Sequence, residues 1–400
     1  MMIMGKQPIK ISGVGCSLLD YIYTNVKFED VALRSRFSKR AGDGGIMPGN
    51  LVFSEDLEKY TGESLDGMLK QIIPEGATPS INIGGPCMVA MIHASQLLYH
   101  LPVKFSYFGA IGTDATGKKL ASLIGKTSIG VDRYDVFEGA TPKTVVLSDP
   151  DYHNGEGERA FINTIGVAAQ YTPDRLDQFF FDADILLFGG TALVPPIHDH
   201  LFELLKEGKR QGSVNVVTTV FDFRNENLAP HQRWPMGRSD KGFQYMDLLI
   251  MDTEEALRIS GEKEVGRAAD FFMDMKTRSF IITRGPDDIV IYSDGTFFAP
   301  HPLAEIPVLP IKDYKTIQMK SDTTGCGDNF SGGVISSLVT QMISGDRERF
   351  DLVEACSWGI ASGTYTGLIT GGTEFEKQKG EKLEKITRLY KEYKKKIAKG

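Results

Sequence analysis

Residues 321–333 read SDTTGCGDNFSGG, and the fold class follows from what flanks them. A β-like run precedes the stretch. After it, Val334, Ile335, Leu338 and Val339 recur at the spacing of one helix face. A glycine-rich turn therefore opens a helix. The first amides of a helix have no partner within it, and the helix dipole favours negative charge at that end. Gly325 and Gly327 lack Cβ, so a ligand can approach their backbone closely. The amides of Gly325, Cys326 and Gly327 are thus a candidate cradle for negative oxygens. Asp328 falls in the first helical turn. A carboxylate there would repel a bound anion, which makes sense if it takes a proton from a hydroxyl attacking a phosphoryl group. A capped structural helix after a tight turn accounts for the same residues, and at this level the two readings stand level.

Outward from that stretch, short apolar runs at 9–14, 104–108, 144–147, 185–188, 214–221, 248–251, 280–283 and 289–292 predict buried strands. Helix-length segments at 173–181, 198–211, 253–259 and 265–276 lie between the later ones. Alternation of this kind predicts an α/β fold, a parallel sheet covered by helices. The run at 214–221 is mostly β-branched, as a strand buried on both faces should be. Two regions break the pattern. Residues 21–80 mix charges, glycines and prolines and read as an insertion with one helix near 64–72. Residues 135–170 combine short strand-like pieces with Gly155, Gly157 and Gly166. From Glu374 the chain is highly charged, yet Leu383, Ile386, Leu389, Tyr390, Tyr393 and Ile397 keep helical spacing, which predicts an amphipathic surface helix.

Composition narrows the function. The chain has 400 residues, 41% of them apolar and 24% charged, an ordinary globular balance that can bury a core without disulfides. A net charge of −7 leaves no footprint for nucleic acid. Cys16, Cys87, Cys326 and Cys356 are scattered, with no CxxC pair, so neither a zinc site nor a disulfide framework is expected. The opening MMIMGKQPIK lacks an apolar core, and no apolar run approaches the ~20 residues of a membrane span. A cytoplasmic protein with reduced thiols and no membrane or nucleic-acid partner is expected.

DTTGCGD resembles the C-terminal signature of the ribokinase-like (PfkB) carbohydrate kinases, usually written [DN]-T-x-G-A-G-D; Cys326 replaces the usual alanine. Gly13-Val14-Gly15 with Asp20 resembles the family's first strand and its substrate-binding acid. Gly84-Gly85 resembles the substrate-site glycine pair. YFGAIGTDATG at 107–117 resembles the G-x-D-x-x-G element, Asp252-Thr253-Glu254-Glu255-Ala256 the N-x-x-E-A element, and Thr283-Arg284-Gly285 the T-x-G turn. The likeness spans roughly residues 10–373. It implies a three-layer α/β/α ribokinase-like domain over 10–373, with a small β lid built from parts of 17–60 and 137–168 and a charged helix over 374–400.

The resemblance also implies chemistry. Asp328 would be the general base, with Gly325, Cys326 and Gly327 around the transferred phosphoryl group. Asp20, Gly84, Gly85 and Asn163 would bind the acceptor. Asp252, Glu255, Thr283 and Gly285 would lie at the nucleotide, with Asp252 and Glu255 organising Mg²⁺ through water. The substrates would be ATP and a small alcohol, with Mg²⁺ and a monovalent cation such as K⁺ as cofactors, and the lid would support a homodimer. Each residue has a plainer role too. Asp20 can end a strand, Asn163 can be a turn residue, and Asp252 can cap the helix that Glu255 begins. Val89 and Leu18 stand where ribokinases often carry sugar-binding asparagines, so the acceptor need not be ribose. GCSLLD at 15–20 resembles the G-N-P-L-L-D stretch of adenosine kinases, and Pro48–Val52 resembles a loop of their bacterial relatives. The primary expectation is a sugar kinase and the alternative a nucleoside kinase. A catalytically silent relative is opposed by the intact Asp328 and glycine turn. Gly13-Val14-Gly15 lacks the third glycine of a dinucleotide-binding fingerprint.

Overall fold

The strands in chain order are β1 (Ile9–Gly15), β2 (Leu18–Thr24), β3 (Leu51–Phe53), β4 (Ser80–Gly84), β5 (Val103–Gly112), β6 (Gly130–Phe137) and β7 (Lys143–Asp149). They continue as β8 (Glu158–Thr164), β9 (Ile185–Gly189), β10 (Val214–Thr218), β11 (Leu248–Asp252), β12 (Ser279–Arg284), β13 (Asp287–Ser293) and β14 (His301–Ile306). The computed structural model describes residues 7–398 apart from 25, 41, 156, 231, 315–323, 346–348 and 370. The β-like run expected before the glycine turn and the first residues of that turn, through 323, lie outside the described residues.

Among the described residues nine strands form one sheet in the order β14-β13-β12-β11-β10-β9-β1-β5-β6, parallel from β12 to β6 with two antiparallel strands at the other edge. Alternate residues serve opposite faces. Ile185 and Leu187 join the core under the helices Pro86–Leu97, Cys326–Ser344 and Leu352–Thr366, while Leu186 and Phe188 join the core under Leu201–Gln211 and Val265–Asp274. The expected three-layer α/β architecture is the one observed. The five remaining strands form a second sheet, β3-β8-β7-β2-β4, with its own core against the helices Ser54–Thr61 and Leu65–Ile72.

Several boundaries differ from the sequence pattern, each for a local reason. The strand expected over 214–221 stops at Thr218. Beyond it Phe221 turns onto Trp234, with ring centres 4.6 Å apart, and Asp222 caps a short helix. The segment 173–181 is two short turns rather than a helix, and 198–211 is broken at His200. The G-x-D-x-x-G element has a structural reason: Asp114 caps the Ala115–Ile124 helix through the Gly117 amide and accepts from the Thr141 hydroxyl at 2.5 Å. The charged tail forms a helix, Glu381–Ile397, whose Ile386, Leu389 and Tyr393 enter the main core. Among the described residues no helix is long and apolar enough to cross a membrane.

Where β4 leaves the small sheet and enters the Pro86–Leu97 helix, Gly85 has φ +97°, and a Cβ there would overlap the carbonyl oxygen of Cys16. That close approach sets how the two sheets join. Gly85→Ala is expected to destabilise the protein by about 2 kcal/mol or more, because positive φ and steric overlap act together. Gly76→Ala is the control, since Gly76 also has positive φ but nothing lies near its Cβ. Thermal melts compare them, and equal losses would remove the close approach as the constraint.

Candidate active site

The two sheets enclose a cleft of 740 Å³. One wall is the small sheet, whose period-two alternation turns Leu18, Asp20 and Ile22 of β2, Thr144 and Val146 of β7, and Arg159, Phe161 and Asn163 of β8 toward it. The floor is the glycine turn, with Thr324, Gly325 and Asp328 at the start of the Cys326–Ser344 helix. Gly84 and Gly85 complete the join between them. A larger hollow near Lys10, Asp184 and Arg210 sits at the opposite ends of β1 and β9, away from every residue singled out in the sequence.

Gly325 is the helix N-cap in the left-handed region, φ +75°, and a Cβ on it would stand 2.5 Å from the Gly372 Cα. The turn therefore rests on the backbone of a second glycine. Burial pushes the Asp328 carboxyl up to about 6. Cys326 is partly exposed beside it, while the other three cysteines are buried thiols. Asp20 is buried on β2, and a Cβ on Gly84 would lie 2.6 Å from its Oδ2, so the glycine makes room for the carboxylate. Asn163 lies in a strand rather than a turn and donates to the Thr144 hydroxyl at 3.1 Å.

Asp20, Gly84, Gly85, Asn163, Gly325 and Asp328 thus come together, whereas Asp252, Glu255, Thr283 and Gly285 stand outside the cleft at the carboxyl ends of β11 and β12. Asp252 and Thr283 are paired across these strands. Asp252 and Glu255 close a capping box: the Glu255 amide donates to Asp252 Oδ1 at 2.8 Å, and the Asp252 amide donates to Glu255 Oε2 at 3.0 Å. Thr219 adds a hydroxyl donor to Glu255 Oε2 at 2.5 Å. Burial, then the charge on Asp252, push Glu255 up to about 8, and Asp328 adds to the push. Burial likewise raises Asp252. Among the described residues no group of three or more His, Cys, Asp or Glu could hold a metal ion by itself. The crowded pair nevertheless fits a cation held through its water shell, because such a charge would relieve both carboxyls.

Sequence reasoning passed over Arg159. Its Nη1 donates to the Thr324 hydroxyl at 2.5 Å, which brings a guanidinium from the small sheet to the glycine turn. Among the described residues lining the cleft it is the basic side chain, against Asp20, Asp149, Asp151, Glu158 and Asp328. The signal was present: residues 159, 161 and 163 of GERAFIN alternate on one strand face, so whatever places Asn163 in the cleft places Arg159 there too.

A family model described as pfkB family carbohydrate kinase matches residues 56–366. Adenosine kinase 2 of Arabidopsis thaliana is 22% identical over 271 residues, spanning 65% of this chain and 73% of that protein. The structure of an adenosine kinase from Schistosoma mansoni in complex with 2-fluoroadenosine matches with a TM-score of 0.66 at 18% identity, over 91% of this chain and 96% of that one. A probable sugar kinase from Rhizobium etli matches with a TM-score of 0.67 at 15% identity, over 96% and 100%. At these identities the solved structures speak for the fold.

A buried carboxylate with a raised pKa costs stability when ionised. That cost is present above pH 6 and falls away as pH drops from about 6 toward the ordinary carboxylate value. Asp328→Asn removes the charge. The variant is expected to melt above the wild type at pH 7.5, with a narrower gap at pH 5; a variant that melts lower at pH 7.5 would mean that the carboxylate is a structural anchor.

Proposed function

The chain belongs to the pfkB family of carbohydrate kinases, and on that premise we propose that it moves the γ-phosphoryl group of ATP to a hydroxyl of a sugar or sugar-like acceptor held by Asp20, with Asp328 as general base. The observation that carries this reading is the one cleft in which the buried acid of β2 and the helix-start acid of the glycine turn face the same space.

The chemistry follows from the groups present. The Asp20 carboxylate accepts hydrogen bonds from the acceptor's hydroxyls, with Asn163 and Thr144 beside it. Asp328 takes the proton of the attacking hydroxyl while its oxygen bonds to the γ-phosphorus and the bond to the β-phosphate oxygen breaks, releasing ADP. The amides of Gly325, Cys326 and Gly327 and the guanidinium of Arg159 hold the negative oxygens. A carboxyl near 6 suits a base that must be ionised at neutral pH yet accept a proton readily. The nucleotide lies toward Asp252, Glu255, Thr283 and Gly285. Mg²⁺, held through water by Asp252 and Glu255, would supply charge neutralisation on the phosphates; a monovalent cation such as K⁺ belongs to the same reading. The small sheet acts as a lid that keeps water from the γ-phosphate. A cytoplasmic location and a homodimer paired through that sheet complete the proposal.

A nucleoside acceptor is the second reading, and the cleft lining favours it. Leu18, Ile22, Leu51, Val146, Phe161 and Leu193 give an apolar wall beside the polar pocket at Asp20. A free sugar carries hydroxyls all round and gains little from such a wall, whereas a ribose bearing a flat base matches both halves.

A panel of sugars and nucleosides in an ATP-consumption assay tests the class, and two variants test the roles. Asp328→Asn is expected to bind ATP and lose turnover by ~10²- to 10⁴-fold. Wild-type kcat/KM should fall with acid below about pH 6, where the base becomes protonated. Asp20→Ala should raise KM for the acceptor by roughly one to two decades with little change for ATP. More than half of wild-type kcat in Asp328→Asn, with chemistry rate-limiting, or a selective loss of ATP affinity in Asp20→Ala, would sink the corresponding assignment.

A further inference from the structure

Lys382, on the C-terminal helix, is 1% exposed. Its ammonium donates to Gln96 Oε1 at 2.9 Å and to Asn329 Oδ1 at 3.3 Å. Those two amides turn their NH₂ groups onto a single strap of backbone. Gln96 Nε2 donates to the Glu374 carbonyl at 2.7 Å, and Asn329 Nδ2 donates to the Gly372 carbonyl at 2.7 Å and the Gly325 carbonyl at 2.8 Å. Between the two gripped carbonyls, the Thr373 hydroxyl donates to the Ile83 carbonyl of β4 at 3.0 Å.

A side-chain amide is nearly symmetric in shape, so its orientation has to be specified by its neighbours. An ammonium only donates, and each amide must therefore present oxygen to Lys382 and nitrogen to the strap. A half-turn of either amide would put NH₂ against the ammonium and oxygen against a carbonyl. The strap so held is the one on which the glycine turn rests, since Gly372 touches Gly325 and both line the cleft with Asp328.

We propose that Lys382 is a positioning residue for phosphoryl transfer: its ammonium orients Asn329 and Gln96, which together hold the Gly372–Glu374 strap, and through it the Gly325 turn, in the geometry that receives the phosphate. The proposal rests on the kinase reading of the cleft. A purely structural account fits less well. The other buried positions of this helix stripe are Ile386, Leu389 and Tyr393, and an apolar residue at 382 would extend that stripe without the desolvation a buried charge costs. Burial pushes the Lys382 pKa down to about 8, with Glu374 and Glu376 opposing the push and Lys385 adding to it; the two carbonyl-type oxygens it faces call for a donor. His93, also facing the group, is held neutral by burial and by Lys382 itself.

The test compares full-length wild type, Lys382→Met, Lys382→Arg and Gln96→Met by steady-state kinetics and by hydrogen exchange of peptides covering 324–329 and 371–375. Lys382→Met is expected to lower kcat by about tenfold or more at nearly constant KM for the acceptor, as misplacement of a reacting group does. Exchange should quicken in both peptides, and Lys382→Arg should recover part of each effect. Gln96→Met cuts one arm and should loosen 371–375 with a smaller loss of kcat. Unchanged kcat and exchange in Lys382→Met, with only a shifted melting temperature, would overturn the proposal and leave a helix-docking contact. If Lys382→Met does not fold, Gln96→Met decides in the same way. A wild type that phosphorylates nothing in the panel counts against the kinase reading, while the exchange result still decides whether Lys382 orders the strap.

Discussion

Two backbones meet without side chains where Gly325 lies on Gly372, and the position of the Cys326–Ser344 helix depends on that contact. Any Cβ on Gly325 would overlap Gly372, so the helix could not begin where it does. From this point the helix runs back between Pro86–Leu97 and Leu352–Thr366 as part of the main core. The start of the helix is thereby aimed at the join between the two sheets, where strands from 18–24, 143–149 and 158–164 supply the facing wall. Chemistry and packing share one element: the helix that completes the core also presents the anion-binding end.

Among the described residues the charge in the site leans negative. Asp328, Glu255 and Asp252 are all raised by burial, and Asp252 and Asp328 both press on Glu255. The described cation nearest the turn by direct hydrogen bond is Arg159, which belongs to the small sheet rather than to the floor. Buried carboxyls with raised pKa values cluster at functional sites, although the capping box gives Asp252 and Glu255 a structural role as well. On the kinase reading proposed above, positive charge bound with the nucleotide would offset this crowding.

How much of this was legible in the sequence varied with the reach of each interaction. The parallel sheet was visible because β9, β11 and β12 hold continuous apolar runs, and the glycine turn was visible because helix-start chemistry is local. Asp20, Asn163 and Asp328 could be named one at a time, but their meeting in one cleft depends on two sheets docking, which no window of sequence contains. Strand β6, with its half-exposed DRYD stretch, lacked the apolar signal of its neighbours. Lys382 was hidden for another reason. It stands four residues before Ile386 and so on the buried stripe, but a lysine amid lysines reads as solvated until its partners Gln96 and Asn329 arrive from elsewhere in the chain.

The Pro86–Leu97 helix is buried on almost every side, and much of its cover is the Cys326–Ser344 helix. During synthesis that cover emerges roughly 230 residues later, which at ribosomal rates is on the order of ten to fifty seconds. Through that interval the helix has β1, β4 and β5 against one side, while the face that Cys326–Ser344 will cover stays open. That open face is where a holding chaperone would be needed during synthesis.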